Sequence, residues 1–153
     1  MKLRKMFKNK LAFTLVELVV VIAIMAILAG AVAGAVVGIR ASANKSEVTD
    51  TADKFATQIQ MMIGNGDITS SWDRAKMKTE LEKVLPGVTY ETTDHYSSNT
   101  SLDAGKKYIF IPDKKSGGNY TTGEYTFKVY TNKNKMTVTV NMENGAVTKG
   151  SVE

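Results

Sequence analysis

The feature that most restricts how this chain can fold is a run of residues without charge, residues 18–39. A helix rises about 1.5 Å per residue, so this run would be roughly 33 Å long as a helix, enough to cross a hydrocarbon core of about 30 Å. No run of similar length follows Arg40. The sequence therefore predicts one membrane-spanning helix near the N-terminus.

A single acid, Glu17, lies directly before that run and is the only charged residue among residues 12–30. An unpaired carboxylate in a membrane-spanning segment costs about 2.5–3.5 kcal/mol on insertion scales. Ionisable side chains in such segments are rare and mark functional sites. The sequence therefore marks Glu17 as a candidate functional residue.

The positive charge of the chain is concentrated at its start. The formal net charge is +5, but residues 1–12 hold five basic side chains and no acid, and the remainder holds 15 basic and 15 acidic side chains. The excess therefore does not indicate a nucleic-acid-binding surface. Basic residues before an apolar run mark its cytoplasmic side, so residues 41–153 are expected outside the membrane. The basic residues of the leader are Lys2, Arg4, Lys5, Lys8 and Lys10.

An ordinary secretory signal is one interpretation of this N-terminus. Such a signal has an apolar stretch of about 7–15 residues and an A-x-A cleavage site. Residues 31–33 and 41–43 fit that site, and the second would give a mature start at Asn44. The length of the apolar run and the position of Glu17 count against it. The alternative, a secreted or membrane-tethered binding module, stays open.

The stretch KNKLAFTLVELVVVIAIMAIL resembles the N-terminus of type IV pilin and pseudopilin precursors. The pattern of that family is a basic leader, a small residue, then F-T-L-hydrophobic-E-L and a long apolar run. The resemblance implies that a prepilin peptidase cuts between Ala12 and Phe13 and that the new amine of Phe13 is methylated. Ala12 stands where glycine is usual, so slower cleavage is expected. In this family the counterpart of Glu17 is held to meet the N-terminal amine of a neighbouring subunit, which makes Glu17 the expected assembly residue.

Small residues recur every four positions along the apolar run, at Ala26, Gly30, Gly34 and Gly38. This spacing lets membrane helices approach closely, although glycine and alanine are also common in membrane helices. Many type IV pilins have a proline at the place of Gly34, where their helix is partly unwound in the fibre. This chain has no proline among residues 1–85. We expect residues 30–38 to be helical in the membrane and to loosen on assembly.

The helical pattern continues beyond the apolar run. Apolar residues at spacings of three and four predict an amphipathic segment, and the turn residues GNGD at 64–67 end it. If residues 13–63 form one helix, it is about 77 Å long. We expect a membrane half, residues 13–39, that packs in the fibre core, and an amphipathic half, residues 40–64. The apolar stripe consists of Val48, Ala52, Phe55, Ile59 and Met62.

Residues 65–153 predict a small headgroup, so the expected fold class is α+β and pilin-like. The stretch SSWDRAKMKTELEKVLPG predicts a short helix capped by its serines. Five runs, VTYET, KKYIFI, YTFKVYT, MTVTVN and AVTKGSV, predict strands. Turns at residues 132–135 and at Asn144 and Gly145 predict hairpins. We expect an antiparallel sheet that packs on the upper half of the long helix.

No catalytic or metal site is predicted. His95 is the only histidine, and the chain has no cysteine, so a histidine- or cysteine-based metal site is excluded. His95 lies in the polar stretch 94–105, which is expected to be a surface loop that either contacts a partner or is passive. Asp50 and Asp53, one helical turn apart, are expected to be solvated. We predict no enzyme activity and no cofactor.

The resemblance implies a structural subunit of a type IV pilus, used for adhesion, motility or aggregation. Its leader, residues 1–12, would be removed, and the single-pass precursor would wait in the cytoplasmic membrane with its C-terminus outside. Expected partners are further copies of the chain in a helical fibre, the prepilin peptidase and methyltransferase, a pilus assembly platform and the membrane, but no nucleic acid. The alternative is a pseudopilin of a type II secretion or DNA-uptake machine.

Overall fold

The computed structural model describes residues 14–94, 102–114 and 119–153. The chain divides into two compact units, Met1–Ala41 and Ser42–Glu153. Its elements follow one another as α1 Leu15–Gly64, α2 Arg74–Val84, β1 Thr89–Glu91, β2 Tyr108–Phe110, β3 Glu124–Tyr130, β4 Lys135–Asn141 and β5 Val147–Lys149.

Helix α1 confirms the predicted long N-terminal helix. It has 50 residues and includes the three glycines of the apolar run without interruption. Its end coincides with the predicted turn residues, because Gly66 takes a left-handed conformation with φ of 73°. The Asp67 N–H then donates to the Met62 carbonyl at 2.9 Å, which satisfies one of the last carbonyls of the helix.

The part of α1 in the first unit is apolar and exposed. Its most apolar stretch has a mean hydropathy of 2.8, and none of that stretch is buried within the protein. Leu15 and Ile27, for example, are 78% and 73% exposed. By length and composition this helix is suited to cross a membrane.

The second unit contains one mixed sheet among the residues described. The strand order is β1-β2-β3-β4-β5, so each strand lies beside its neighbours in sequence. The pairs from β2 to β5 are antiparallel as predicted, but β1 and β2 are parallel, which corrects the expectation of a purely antiparallel sheet. The connection between them, residues 92–107, is long enough for parallel pairing, which needs a crossover of a dozen or more residues.

The core lies between this sheet and the upper part of α1, as predicted. Alternate residues of β3 and β4 are buried, and Phe127 pairs with Val138 across the two strands. The Phe127 ring contacts Phe55 of α1, with the two ring centroids 4.8 Å apart. The apolar stripe of α1 is buried in this core, namely Val48, Ala52, Phe55, Ile59 and Met62.

Helix α2 confirms the predicted short helix but not its predicted cap. The N-cap is Asp73, whose Oδ1 accepts a hydrogen bond from the Lys76 N–H at 2.7 Å. The serines lie further upstream, where the hydroxyls of Ser71 and Thr69 bond each other at 2.8 Å. A carboxylate caps a helix as well as a hydroxyl does and also suits the helix dipole.

The C-terminal hairpin, formed by β4 and β5, is attached to α1 by two contacts. The Lys149 ammonium lies 2.5 Å from Asp53 Oδ1, and the Gln60 side-chain amide donates to the Gly145 carbonyl at 3.0 Å. Gly145 has a φ of 72°, as the predicted hairpin at Asn144 and Gly145 requires. The first and last elements of the second unit are therefore in direct contact.

Candidate functional site

The N-terminus of α1 is built around a reciprocal pair of side chains, Thr14 and Glu17. The Thr14 N–H and the Thr14 hydroxyl each donate to Glu17 Oε2 at 2.8 Å. The Glu17 N–H in turn donates to Thr14 Oγ1 at 3.2 Å. The Leu18 N–H donates to the Thr14 carbonyl at 3.2 Å, which is the first bond of the helix. Thr14 is thus the N-cap and Glu17 the third helical residue of a capping box.

The capping box changes how the charge of Glu17 is accommodated. The first N–H groups of a helix have no partner within the helix, and its N-terminus favours a negative charge. Glu17 therefore satisfies one such donor and gains two hydrogen bonds from its own chain. Both bonds end on Oε2, and no donor among residues 14–94, 102–114 and 119–153 bonds Oε1. Within those ranges, the carboxylate uses one of its two oxygens as an acceptor.

The sequence contains the pattern that predicts this arrangement. Thr14-Leu-Val-Glu17 before an apolar run is the S/T-x-x-E pattern of a capping box. The cost of a charge in an apolar segment drew attention to Glu17 alone. That cost gives no indication of Thr14, the partner of Glu17 in the capping box.

The other predicted site residues are distributed as follows. Ala12 and Phe13, the predicted cleavage and methylation positions, lie outside the described residues. The predicted packing residues, Ala26 and three glycines, lie in α1. A Cβ placed on any of these glycines would meet no atom within 4 Å in the described part of the chain. Their backbone is therefore open to a neighbouring helix, and the packing role stays a prediction. The glycines are Gly30, Gly34 and Gly38.

The acids on the upper part of α1 are engaged in ion pairs. Asp50 Oδ2 lies 2.8 Å from the Lys54 ammonium, and Asp53 binds Lys149. The described ranges contain no group of three or more His, Cys, Asp and Glu side chains arranged to hold a metal ion. His95 and most of the predicted surface loop lie outside those ranges. The ion pairs with Lys54 and Lys149 therefore account for Asp50 and Asp53 as structural residues.

Comparison with known proteins identifies the N-terminal segment. Residues 7–33 match the family model described as the prokaryotic N-terminal methylation motif. No curated protein matches the chain, and no solved structure matches it either. The matched segment contains the capping box, the positions Ala12 and Phe13 and most of the apolar run, residues 18–33. The chain therefore carries a prepilin-type signal, the segment characteristic of type IV pilins and pseudopilins.

Proposed function

We propose that this protein is a structural subunit of a type IV pilus, exported as a membrane-anchored prepilin and polymerised through α1 into a surface fibre. The observation that carries the proposal is the position of the Glu17 carboxylate, inside a methylation motif and at the start of an exposed apolar helix. Cleavage between Ala12 and Phe13 would create a cation next to that carboxylate. Phe13 precedes Glu17 by four residues in the sequence.

The new amine is the partner that Glu17 would find in a neighbouring subunit. A buried ion pair between packed apolar helices contributes specificity more than stability, because desolvation offsets much of the attraction. The pair would form only when the neighbour arrives in the correct register. Glu17 is then the residue that selects the register of assembly.

The exposed apolar part of α1 is suited to two successive environments, first lipid and then the helices of neighbouring subunits. Lipid would cover it in the precursor, with the basic leader on the cytoplasmic side and the headgroup outside. Helices of neighbouring subunits would cover it in the fibre, where Gly30, Gly34 and Gly38 offer an open backbone for close contact. The partners are then the prepilin peptidase and methyltransferase, an assembly platform and further copies of this chain.

A pseudopilin of a type II secretion or DNA-uptake machine is the second candidate, because it would use the same motif and the same chemistry at Glu17. Genes beside the coding sequence would separate the two. A retraction ATPase supports the pilus, and secretion-channel or competence genes support the pseudopilin.

The test is the mass and N-terminal sequence of the mature protein, together with its presence in fibres sheared from cells. We expect a chain that begins at Phe13 and carries one added methyl group, and we expect this chain to be the main fibre component. A mature start at Asn44 would contradict the proposal and support an ordinary secretory signal.

A further inference from the structure

The second unit holds five methionines, and they differ in exposure. Four of them belong to the core and are at most 7% exposed. The fifth, Met61, is 55% exposed, although the next residue in the chain, Met62, is only 5% exposed. Met61 is therefore the only exposed methionine in the described part of this unit. The four core methionines are Met62, Met77, Met136 and Met142.

The position of Met61 on α1 explains its exposure. Met62 belongs to the apolar stripe of α1 that enters the core, and Met61 does not. Met61 lies on the exposed side of the helix with Thr57 and Gly64, which come four residues before it and three residues after it. Its backbone is in regular structure, since the Met61 carbonyl accepts the Asn65 N–H at 2.9 Å. An ordered helical turn therefore presents the thioether to solvent.

A thioether that contributes little to the core keeps its chemistry. Peroxides oxidise methionine to methionine sulfoxide. With hydrogen peroxide, a sulfur lone pair attacks one oxygen, the O–O bond breaks, and the proton of the transferred oxygen passes to the leaving hydroxide. Sulfur loses two electrons, the peroxide gains them, and the products are the sulfoxide and water. The oxidant must reach the sulfur, so exposure determines which methionine reacts first.

We infer that Met61 is the oxidation site of the headgroup and that a peroxide converts it to the sulfoxide while the headgroup stays folded. A sulfoxide is polar and disrupts a core. At Met61, however, the new oxygen lies on a side chain that water already contacts. The core methionines react only when local opening exposes them. Met61 therefore consumes peroxide before the core is damaged, and a methionine sulfoxide reductase can restore it.

The experiment treats the full-length chain, held in detergent micelles, with hydrogen peroxide and follows each methionine by mass spectrometry of peptides. Fragment ions distinguish Met61 from Met62 in a peptide that contains both. We expect the sulfoxide to form at Met61 at least about tenfold faster than at Met62, because a buried thioether reacts only from opened states. Equal rates at the two positions would overturn the inference.

Two variants form a matched pair for this assignment. Met61→Leu and Met62→Leu each remove one thioether and keep an apolar side chain of similar volume. Met61→Leu should lose the fast oxidation within residues 42–153, and Met62→Leu should keep it. A fast oxidation in this part of the chain that survives Met61→Leu would contradict the assignment.

The stability of the oxidised chain tests whether the headgroup stays folded. Urea unfolding, followed by the fluorescence of Trp72, is compared before oxidation, after Met61 has gained its oxygen, and after the core methionines have reacted. We expect an unchanged midpoint after the first step and a lower midpoint after the second. The two methionine sulfoxide reductases, one for each sulfoxide epimer, should remove the oxygen from Met61 in the folded chain. A midpoint that falls in step with the oxidation of Met61 would overturn the inference.

Discussion

At the scale of a single residue, Glu17 combines a cost and a partial compensation within one helical turn. The importance of Glu17 was predictable from the sequence, because a charge beside an apolar run has a known free-energy cost in a membrane. Its local partner Thr14 was predictable from the S/T-x-x-E pattern as well. That both described donors occupy Oε2 was not predictable, because a pattern of residue types does not say which carboxylate oxygen a donor will occupy.

The charge of Glu17 and its role as a hydrogen-bond acceptor can be separated by two substitutions. Glu17→Gln keeps an acceptor oxygen for Thr14 and removes the charge, and Glu17→Ala removes both. We expect both variants to be cleaved and inserted, with easier insertion because an expensive charge is gone. Neither should form fibres when it is the only subunit present. Normal fibre yield from Glu17→Gln would show that the ion pair with Phe13 is not required.

Cleavage should depend on the size of residue 12. The peptidase must accommodate the residue before the cut, and the family pattern places a small residue there. We expect Ala12→Leu to accumulate as precursor and Ala12→Gly to be cleaved at least as fast as wild type. Electrophoresis of a pulse-labelled culture measures both rates. A mature-size Ala12→Leu chain at normal abundance would be inconsistent with a small subsite.

At the scale of secondary-structure elements, the long helix and the five strands were predictable from periodicity and turn residues. The direction in which neighbouring strands pair was only partly predictable. The short connections 131–134 and 142–146 require antiparallel hairpins, and the structure has them. The connection 92–107 permits either direction, so nothing local determined that β1 and β2 would be parallel. Likewise, the choice of Asp73 over the serines as the cap of α2 depends on where the chain turns.

The helical hydrogen bonds around the glycines of α1 should be weaker in the fibre than in the membrane. Each glycine weakens a helix by about 0.8–1.0 kcal/mol relative to alanine, so three of them approach the cost of one interior proline. In a bilayer, unpaired backbone groups are so costly that residues 30–38 should remain helical. In the fibre, we expect faster amide hydrogen exchange across these residues.

A variant provides the control for this prediction. Gly34→Ala strengthens the helix, and its new Cβ meets no atom within 4 Å in the described residues, so exchange in the membrane should be unchanged. Exchange in the fibre should slow. Unbroken helical hydrogen bonds through residues 30–38 in a fibre reconstruction would exclude the loosening and leave only the packing role.

At the scale of the whole molecule, the two units differ in whether their large apolar side chains are exposed or buried. In the first, large apolar side chains are exposed, as at Leu15 and Ile27. In the second, they are buried between sheet and helix, together with several tyrosines. Tyr120 and Tyr130 are almost fully buried, and the Tyr120 hydroxyl donates to the Pro112 carbonyl at 2.8 Å. Titration of these buried tyrosines should alter the stability of the second unit.

Alkaline pH should destabilise the second unit through these tyrosines. Burial raises the pKa of Tyr120 and of Tyr130 to about 12, because it disfavours the charged phenolate. Below pH of about 10 both the folded and the unfolded chain hold the phenolic protons, so this contribution to stability is fully present. Between about 10 and 12 the unfolded chain releases protons first, and the free energy of unfolding falls.

The fluorescence of Trp72, the only tryptophan, reports this unfolding in the full-length chain held in detergent micelles. The matched control is Tyr120→Phe, which removes one titrating group together with its hydrogen bond. We expect its stability to be lower at neutral pH and to fall less steeply above pH of about 10. An equally steep fall would mean that another group is responsible.

The contact between the first and last elements of the second unit determines how early the headgroup can fold during synthesis. A ribosome completes α1 long before β5. The partner of Gln60 is synthesised 85 residues after it, and the partner of Asp53 is synthesised 96 residues after it. The backbone N–H of Lys135 donates to the Glu153 carbonyl and its carbonyl accepts the Glu153 N–H, so Lys135 is also paired only after Glu153 has been made. A nascent chain therefore cannot close its headgroup before Glu153 has been synthesised. Subunits cut short by a premature stop would retain the anchor and the cleavage signal but lack the closing hairpin, which leaves an incomplete headgroup open to proteases before it can enter a fibre.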